Sequence, residues 1–207
     1  MARKTTQERK DQIIEVTRDL IFNQGFSNFT VRTVAVRVGI SEAAIYKHYS
    51  SKEELLMALL DYLFLPWQKA LKSIAEKNIP ACDRLRELAT THIDFLVKKK
   101  LNPQLFFSEA ADPANSRLLG VLQKNLVFWG ELVFKLFSEA VKNKEIRQSV
   151  QIDCASSCFI GIVQSSVIRW TVFKHTERLK EVTLENVNFF LECLKINEES
   201  KNESNNR

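Results

Sequence analysis

The residue types that could do chemistry are concentrated between positions 30 and 55, in the stretch TVRTVAVRVGISEAAIYKHYSSKEEL. Tyr46, Lys47 and His48 place a hydroxyl, an ammonium group and an imidazole in succession, and Lys52 follows shortly after them. Such groups form hydrogen bonds with phosphate oxygens and with acceptors on base edges. The stretch therefore predicts a nucleic-acid-binding surface. The alternative is a three-helix packing unit whose polar residues are simply solvated.

Two short helices joined by a tight turn are expected to position these side chains. Thr30 is of a type favoured at helix N-caps, and Gly39 ends the apolar pattern that follows it. The apolar positions of this first helix, at i, i+3, i+4 and i+7, are Val31, Val34, Ala35 and Val38. Ser41 can cap a second helix, in which Ile45 and Tyr49 fall on one side and pack inward. The side chains then turned outward are Glu42, Ala43, Tyr46 and Lys47.

Two longer helices are predicted to flank this helix-turn-helix. One extends from about residue 6 to Gly25, with the inward-facing residues Ile13, Ile14, Thr17, Leu20 and Ile21. The other opens at Ser51 and is expected to end at Pro66, because proline lacks the N–H that a helix interior requires. Its apolar residues are Leu55, Leu56, Leu59, Leu60 and Leu63.

The second short helix has the dimensions that B-DNA accommodates. An α-helix fits the major groove, and side chains near its N-terminus reach base edges. Ala43 and Ala44 are small enough to allow that approach, and free N–H groups near Thr30 and Ser51 suit phosphate. Residues 1–52 hold nine lysines and arginines against five acidic residues, so most of the net charge of +5 lies there. Nucleic acid attracts such a surface through counterion release, although a solvated basic surface without a partner has the same composition.

These residues also carry a resemblance to a known family. The run FTVRTVAVRVGISEAAIYKHYSSKEELL resembles the DNA-binding head of the TetR family, the tetracycline-repressor-like regulators, over about residues 9–63. The shared pattern is Thr, helix, Gly, Ser, a short helix ending in Tyr-x-x-aromatic, then a Lys-Glu-x-Leu start. The resemblance implies that residues 30–38 form the supporting helix and that residues 41–49 read the groove. The residues expected at the DNA interface are Thr30, Val31, Arg32, Ser41, Glu42, Ala43, Ala44, Tyr46, Lys47, His48 and Lys52.

Glu42 departs from the family pattern, in which many members carry Lys or Arg at this position. A carboxylate facing phosphates lowers nonspecific affinity, but it can accept a hydrogen bond from the amino group of cytosine. Glu42 is therefore either a specificity residue or a side chain turned away from DNA.

The whole chain is predicted to be all-α, because five glycines and four prolines leave long uninterrupted runs. We expect a DNA-binding domain over residues 1–65, an effector-binding and dimerisation domain over 66–197, and a disordered tail over 198–207. The helices expected beyond Pro66 cover about residues 67–77, 82–99, 104–111, 114–143, 152–174 and 184–196.

Two of these helices have faces suited to a homodimer. Ser157, Gly161 and Ser165 lie four residues apart, which allows another helix to approach closely. The last helix presents Val187, Phe190, Leu191 and Leu194 at i, i+3, i+4 and i+7. The resemblance implies that both helices pair with their copies in a symmetric four-helix interface. The alternative is that they are buried within their own monomer. A dimer also fits DNA recognition, since one short helix touches too few base pairs to select a genomic site.

The region after residue 66 is rich in large aromatic residues. Most are expected in the core, but polar residues near them, including His92 and Asn125, could orient a bound ligand. The residues proposed for such a site are Phe95, Phe106, Phe107, Phe128, Trp129, Gln164 and Arg169. The resemblance, rather than these residues, implies that a small-molecule effector shifts the spacing of the two heads. A body that only dimerises or binds another protein is the alternative.

Other classes of protein are disfavoured. No glycine-rich phosphate loop, HExxH, Gly-x-Ser-x-Gly or suitably spaced carboxylate pair is present, so we expect no enzyme. The four cysteines are scattered among apolar residues, without metal-ligand spacing, and are expected to be buried in a reducing compartment. No metal or cofactor is predicted. The N-terminus lacks a signal-peptide core, and residues 154–173 carry Gln164 and Arg169, so neither export nor membrane insertion is expected. We expect a cytoplasmic protein.

Overall fold

The computed structural model describes residues 5–99, 101–173 and 178–195, and all the regular structure in these ranges is helical. The α-helices are α1 (Thr6–Gln24), α2 (Val31–Val38), α3 (Glu42–Tyr46), α4 (Lys52–Ala75), α5 (Ala81–Lys99), α6 (Pro103–Ala110), α7 (Ser116–Lys142), α8 (Ile152–Phe173) and α9 (Leu179–Leu194). Two short 3-10 helices cover Phe26–Asn28 and Pro113–Asn115. The all-α prediction is confirmed.

The chain divides into two compact units. The first contains the described residues of 1–66 and 100–123, and the second those of 67–99 and 124–207. The sequence predicts a division close to the first of these boundaries, but it assigns residues 100–123 to the body. The predicted disordered tail over 198–207 lies outside the described residues.

In the first unit, α1 packs on α2 and α2 packs on α3. The start of α1 is closed by a capping box, in which Glu8 N donates to Thr5 Oγ1 and Thr5 N donates to Glu8 Oε2. The predicted inward-facing residues of α1, from Ile13 to Ile21, are buried. The helix therefore provides the apolar platform on which the helix-turn-helix rests.

Helix α4 runs unbroken through Pro66, whereas the sequence predicts a break there. An internal proline costs about 3 kcal/mol. Buried apolar residues on both sides of it, among them Leu59, Leu63, Trp67 and Leu71, keep the helical spacing and have at most 6% exposure. Burial of these side chains outweighs the local penalty, and the exposed position of Pro66 leaves room for its ring.

Residues 101–123 complete the first unit through one aromatic cluster and one charged cluster. The Phe106 ring lies edge-to-face against Phe22 and Phe26, at centroid distances of 5.3 and 5.5 Å. On the surface, Arg117 forms ion pairs with Glu54 at 2.9 Å and with Glu53 at 3.4 Å.

In the second unit, α9 packs against α5 and α8 around a core that includes Phe137, Phe159 and Val163, all fully buried. Helix α9 begins five residues earlier than the predicted residue 184. The predicted end points 174 and 196 of the last two helices fall outside the described residues. In the described ranges, no helix is both long and apolar enough to cross a membrane.

The prediction that the cysteines are buried holds only for Cys82. Cys154, Cys158 and Cys193 are exposed, the first two on α8 and the third on α9. Ala155 and Phe159, each directly after one of the α8 cysteines, are buried, whereas the cysteines themselves lie on the exposed surface of their helices.

Candidate nucleic-acid interface and effector region

The helix-turn-helix is built from local capping interactions. Thr30 Oγ1 accepts a hydrogen bond from Thr33 N at 3.0 Å and closes the start of α2. Gly39 adopts a left-handed conformation with φ of 76°, and its N–H bonds back to Ala35 O at 2.9 Å. Two residues later, Ser41 Oγ accepts from Ala44 N at 3.2 Å and starts α3. The predicted caps and turn are confirmed.

One buried side chain and one tethered side chain orient α3. Ile45 is 1% exposed, and it anchors the inner face. Tyr49 is half-buried, and its Oη donates to Lys10 O in α1 at 3.5 Å. Burial first, and the nearby Asp11 second, raise the pKa of Tyr49 to about 12, so the hydroxyl keeps its proton. The outer face of α3 is thereby held away from the core.

The predicted outward side chains are on the surface. Glu42, Ala43, Tyr46 and Lys47 are exposed, while Ala44 and His48 are half-buried. Tyr46 is 49% exposed, whereas tyrosine side chains in folded proteins are more often largely buried. Among the described residues, the Glu42 carboxylate forms no ion pair. The exposed surface of α3 and its C-cap therefore carries an aromatic hydroxyl, an ammonium group and a carboxylate.

The tertiary structure brings Lys52 to the start of α2. The Lys52 ammonium lies 4.9 Å from the centroid of the Phe29 ring, and Phe29 directly precedes the N-cap Thr30. Phe29 is fully buried, so it fixes the position of this contact. A positive side chain and the N-terminus of an α-helix, two features that bind phosphate, lie side by side although 22 residues separate them in sequence.

Val31 and Val36 correct the sequence-based assignment for α2. Val31 is 6% exposed, because it belongs to the inward stripe, so its side chain does not reach the surface. Arg32 is exposed as expected. Val36, one turn after Arg32, is 73% exposed and was not among the predicted contacts. An exposed valine beside an arginine is suited to a thymine methyl group. Val36 is an apolar residue outside the i, i+3, i+4, i+7 stripe, and this position is the sequence signal that could have identified it.

In the second unit, four ring side chains form one cluster, in which Trp67, His92 and Trp129 are buried and Phe128 is half-buried. Trp67 lies edge-to-face against His92 and Phe128, with centroid distances of 5.7 and 5.8 Å. The Trp129 ring stacks on His92 at 5.3 Å and leans on Trp67 at 6.0 Å. Nearby, Gln68 Nε2 donates to Asn125 Oδ1 at 2.9 Å. The cluster joins residues of α4, α5 and α7.

His92 is the polar centre of this aromatic cluster. Trp67 Nε1 donates to His92 Nδ1 at 3.1 Å, which leaves His92 Nε2 to carry the proton of the neutral ring. Burial lowers the pKa of His92 to about 4, so the ring is uncharged near neutral pH. Among the described residues, no acceptor pairs with His92 Nε2 or with Trp129 Nε1, and both nitrogens are buried. Each unpaired buried N–H costs about 1–3 kcal/mol.

The other residues predicted for the effector site are dispersed. Phe95 and Gln164 are half-buried, and Arg169 is exposed on α8. Phe106 and Phe107 fall in the first unit, where Phe106 packs against Phe22 and Phe26. Their assignment to an effector site stays a prediction.

The predicted dimer-forming residues separate into exposed and buried sets. Ser157, Gly161 and Ser165 are exposed on α8. By contrast, Val187 and Leu191 are fully buried against their own chain and are not available to a partner helix. Phe190 and Leu194 are half-buried, and Phe190 contacts Phe137 edge-to-face at 6.3 Å. The large exposed apolar residues of the two helices are Ile168, Val172, Phe173, Val182 and Phe189.

Three comparisons identify what the chain resembles. Residues 13–59 match the model for bacterial regulatory proteins of the tetR family. Nucleoid occlusion factor SlmA of Haemophilus influenzae is 26% identical over 104 residues, which cover 50% of this chain and 46% of that protein. The chain thus spans about half the length of the first curated relatives it matches.

Solved structures match over nearly the whole chain. A TetR-family regulator from Cytophaga hutchinsonii has a TM-score of 0.76 at 13% identity, covering 96% of this chain and 100% of that one. FadR from Bacillus subtilis in complex with stearoyl-CoA has a TM-score of 0.70 at 18% identity, covering 87% and 97%. These similar proteins are regulators. Residues 13–59 therefore match the DNA-binding region of the tetR family, and the fold of the chain is the one found in regulators of that family.

Proposed function

We propose that this protein is a sequence-specific DNA-binding transcriptional regulator. The observation that carries the proposal is the Ser41-capped helix α3, which is anchored by Ile45 and presents Tyr46 and Lys47 outward. A helix held in this way can enter the major groove with its polar face toward the bases. A regulator of this type works on the chromosome, so we place it in the cytoplasm.

The proposed contacts divide into anchors and readers. Lys52 and the free N–H groups at the start of α2 bind phosphate, which fixes register without reading sequence. Arg32, on the exposed side of α2, adds a second cationic anchor. Ala43, Ala44, Tyr46, Lys47 and His48 face the groove, where they distinguish base pairs. Glu42 reads cytosine in this arrangement, because its carboxylate accepts from an amino group that only cytosine offers among the pyrimidines.

Two copies act together in the proposed mechanism. The exposed small residues Ser157, Gly161 and Ser165 of α8 allow a second copy to approach, and exposed Phe189 of α9 supplies apolar area. A two-fold axis places two α3 helices on the two halves of a palindromic operator.

A small, largely apolar effector is proposed to release the operator. The aromatic cluster around Trp67 and Trp129 offers apolar surface with few polar groups, as effector sites commonly do. The similar FadR of Bacillus subtilis was solved with stearoyl-CoA, an acyl thioester. We therefore propose molecules with an acyl chain as the first to screen, with the protein acting as a repressor in their absence.

The test is binding to DNA selected by the protein itself from a random duplex library. The selected site should be palindromic, with half-sites about one helical turn or a multiple of it apart. The logarithm of affinity should fall with the logarithm of salt concentration, with a slope near −0.9 per phosphate contact. A scrambled duplex of equal length is the control. A flat salt response with no enriched sequence would remove the proposal.

A second candidate function is a DNA-bound protein whose body recruits another protein. Leu126, Val127 and Phe134 of α7 are 47%, 59% and 41% exposed, an unusual apolar face for a surface helix. The partial similarity to a nucleoid occlusion factor is compatible with this role. Replacing Val127 and Phe134 with Ser should abolish regulation without changing DNA affinity or effector binding if this candidate is correct.

A further inference from the structure

Two buried hydrogen-bond donors of the second unit point to the chemistry of its ligand. His92 is 8% exposed and Trp129 is 2% exposed, and their rings stack at 5.3 Å. Within the described part of the chain, neither His92 Nε2 nor Trp129 Nε1 meets an acceptor. Buried N–H groups in native proteins are nearly always paired, so two adjacent exceptions are informative.

The identity of each group as a donor follows from its chemistry. An indole N–H can only donate. His92 Nδ1 accepts from Trp67 Nε1, so the proton of the neutral imidazole is on Nε2, which also donates. Both groups therefore require an acceptor atom.

The surroundings favour an uncharged acceptor. The polar groups that accompany the rings, Gln68 and Asn125, bond to each other and are neutral. In the part of the chain that the structure describes, the cation that contacts these rings is the exposed Lys72, whose ammonium lies 5.9 Å from the centroid of Phe128. A buried carboxylate would need a charged partner of its own. A carbonyl oxygen requires only donors, and these are present.

We propose that the effector is an apolar molecule with an uncharged carbonyl oxygen, as in a ketone, ester, thioester or amide, which accepts hydrogen bonds from His92 Nε2 and Trp129 Nε1. This inference rests on the proposed function, because it specifies the ligand of the effector region. Trp129 and His92 act as specificity determinants, and the surrounding rings bind the apolar remainder.

The test compares three probes of equal chain length, octan-2-one, octane and octanoate. With the unaltered protein, octan-2-one should bind about two- to tenfold more tightly than octane, the range expected for a net hydrogen bond. In spectra of indole ¹⁵N-labelled protein, the Trp129 N–H resonance should move downfield with the ketone and not with octane. Trp129→Phe assigns that resonance.

A substitution at Trp129 then tests the contribution of its indole N–H to carbonyl binding. Trp129→Phe should reduce the ratio of ketone to octane affinity toward one, whereas Trp170→Phe, on α8, should leave the ratio unchanged. Equal affinities for ketone and octane in the unaltered protein, an unmoved Trp129 resonance, or tighter binding of octanoate than of octan-2-one would overturn the inference. The comparison of probe affinities uses the unaltered protein, so it decides the matter even where a variant folds poorly.

The test of carbonyl binding can succeed or fail independently of the test of the proposed DNA-binding function. Probe binding is measured without DNA, and release is measured separately by adding octan-2-one to the operator complex. A ketone preference without release would contradict the effector-controlled mechanism and support the inference. Operator binding with no ketone preference would leave the DNA-binding function intact and overturn the inference.

Discussion

Lys52 has two roles that one substitution can separate. Its ammonium lies over Phe29 beside the start of α2, where a phosphate is expected. Lys52→Ala should lower affinity for every duplex and reduce the steepness of the salt dependence by about 0.9, because one phosphate contact is lost. Filter-binding at several salt concentrations measures both. Lys52→Arg, which retains the charge and the cation–π contact, is the control. An unchanged salt slope in Lys52→Ala would show that this side chain serves only the fold.

Glu42 should behave differently, because a carboxylate repels phosphates. Glu42→Gln keeps the size of the side chain, and in the proposed role it changes the preference at particular base pairs. Selection from a random library, performed in parallel with the unaltered protein, reports that change. A shift of equal size on every sequence would place Glu42 outside direct readout.

His92 predicts a pH dependence of stability. Its pKa is lowered by burial from 6.5 to about 4, so the unfolded chain binds a proton between these values and the folded chain does not. The contribution of His92 to the free energy of unfolding is fully present above pH 6.5 and falls as pH is lowered toward 4. The loss between pH 7 and 5 is about 2 kcal/mol. Urea unfolding of the unaltered protein and of His92→Gln, which cannot titrate, should give curves that diverge below pH 6.5. Parallel curves would contradict the assignment.

At the scale of the element, the turn of the helix-turn-helix depends on the conformation of one glycine. Gly39 has φ of 76°, and a Cβ placed there would meet nothing within 4 Å. Gly39→Ala should therefore destabilise the protein by about 1 kcal/mol through backbone conformation alone. Gly120, inside α7, has the same open space but helical geometry, so Gly120→Ala should stabilise by up to about 1 kcal/mol. Thermal unfolding gives the midpoint temperature of each variant. Equal changes in this temperature would show that the left-handed conformation of Gly39 is not the cause of the destabilisation.

At the scale of the whole molecule, Gly161 gives a selective test of assembly. A Cβ at Gly161 meets nothing within 4 Å in its own chain, so a larger side chain is tolerated there in the monomer. If α8 pairs closely with its copy at Gly161, Gly161→Leu should weaken the dimer, because overpacking costs about 1–3 kcal/mol. Sedimentation at low micromolar concentration should show monomer for this variant, while Gly161→Ala should show a smaller effect. A stable Leu-containing dimer would assign the interface to another face.

Effector and operator must also be coupled in both directions. A hundredfold fall in operator affinity requires about 2.7 kcal/mol of coupling, and operator DNA must then weaken effector binding by the same factor. Calorimetric titration with an acyl-chain compound, with and without the selected operator, measures this coupling free energy. A compound that binds equally well in both experiments is no inducer.

The sequence by itself determined the features that depend on nearby residues. The caps at Thr30 and Ser41, the turn at Gly39 and the inward stripe from Val31 to Val38 all rest on contacts within a few positions. Such contacts form in the same way wherever the segment is placed, so residue type and spacing are sufficient to predict them. The match to the tetR family model includes the same stretch.

Only the tertiary structure decided which surface covers each apolar face. Helical spacing shows that Val187 and Leu191 share a face, but the packing of α9 on α5 and α8 buries them within the chain. Phe106 likewise finds partners more than 75 positions away, and the helix through Pro66 persists because distant apolar residues pack on both sides of it. The pairing of Trp67 with His92 also arises in this way. These outcomes depend on long-range burial energies, which local propensity does not contain.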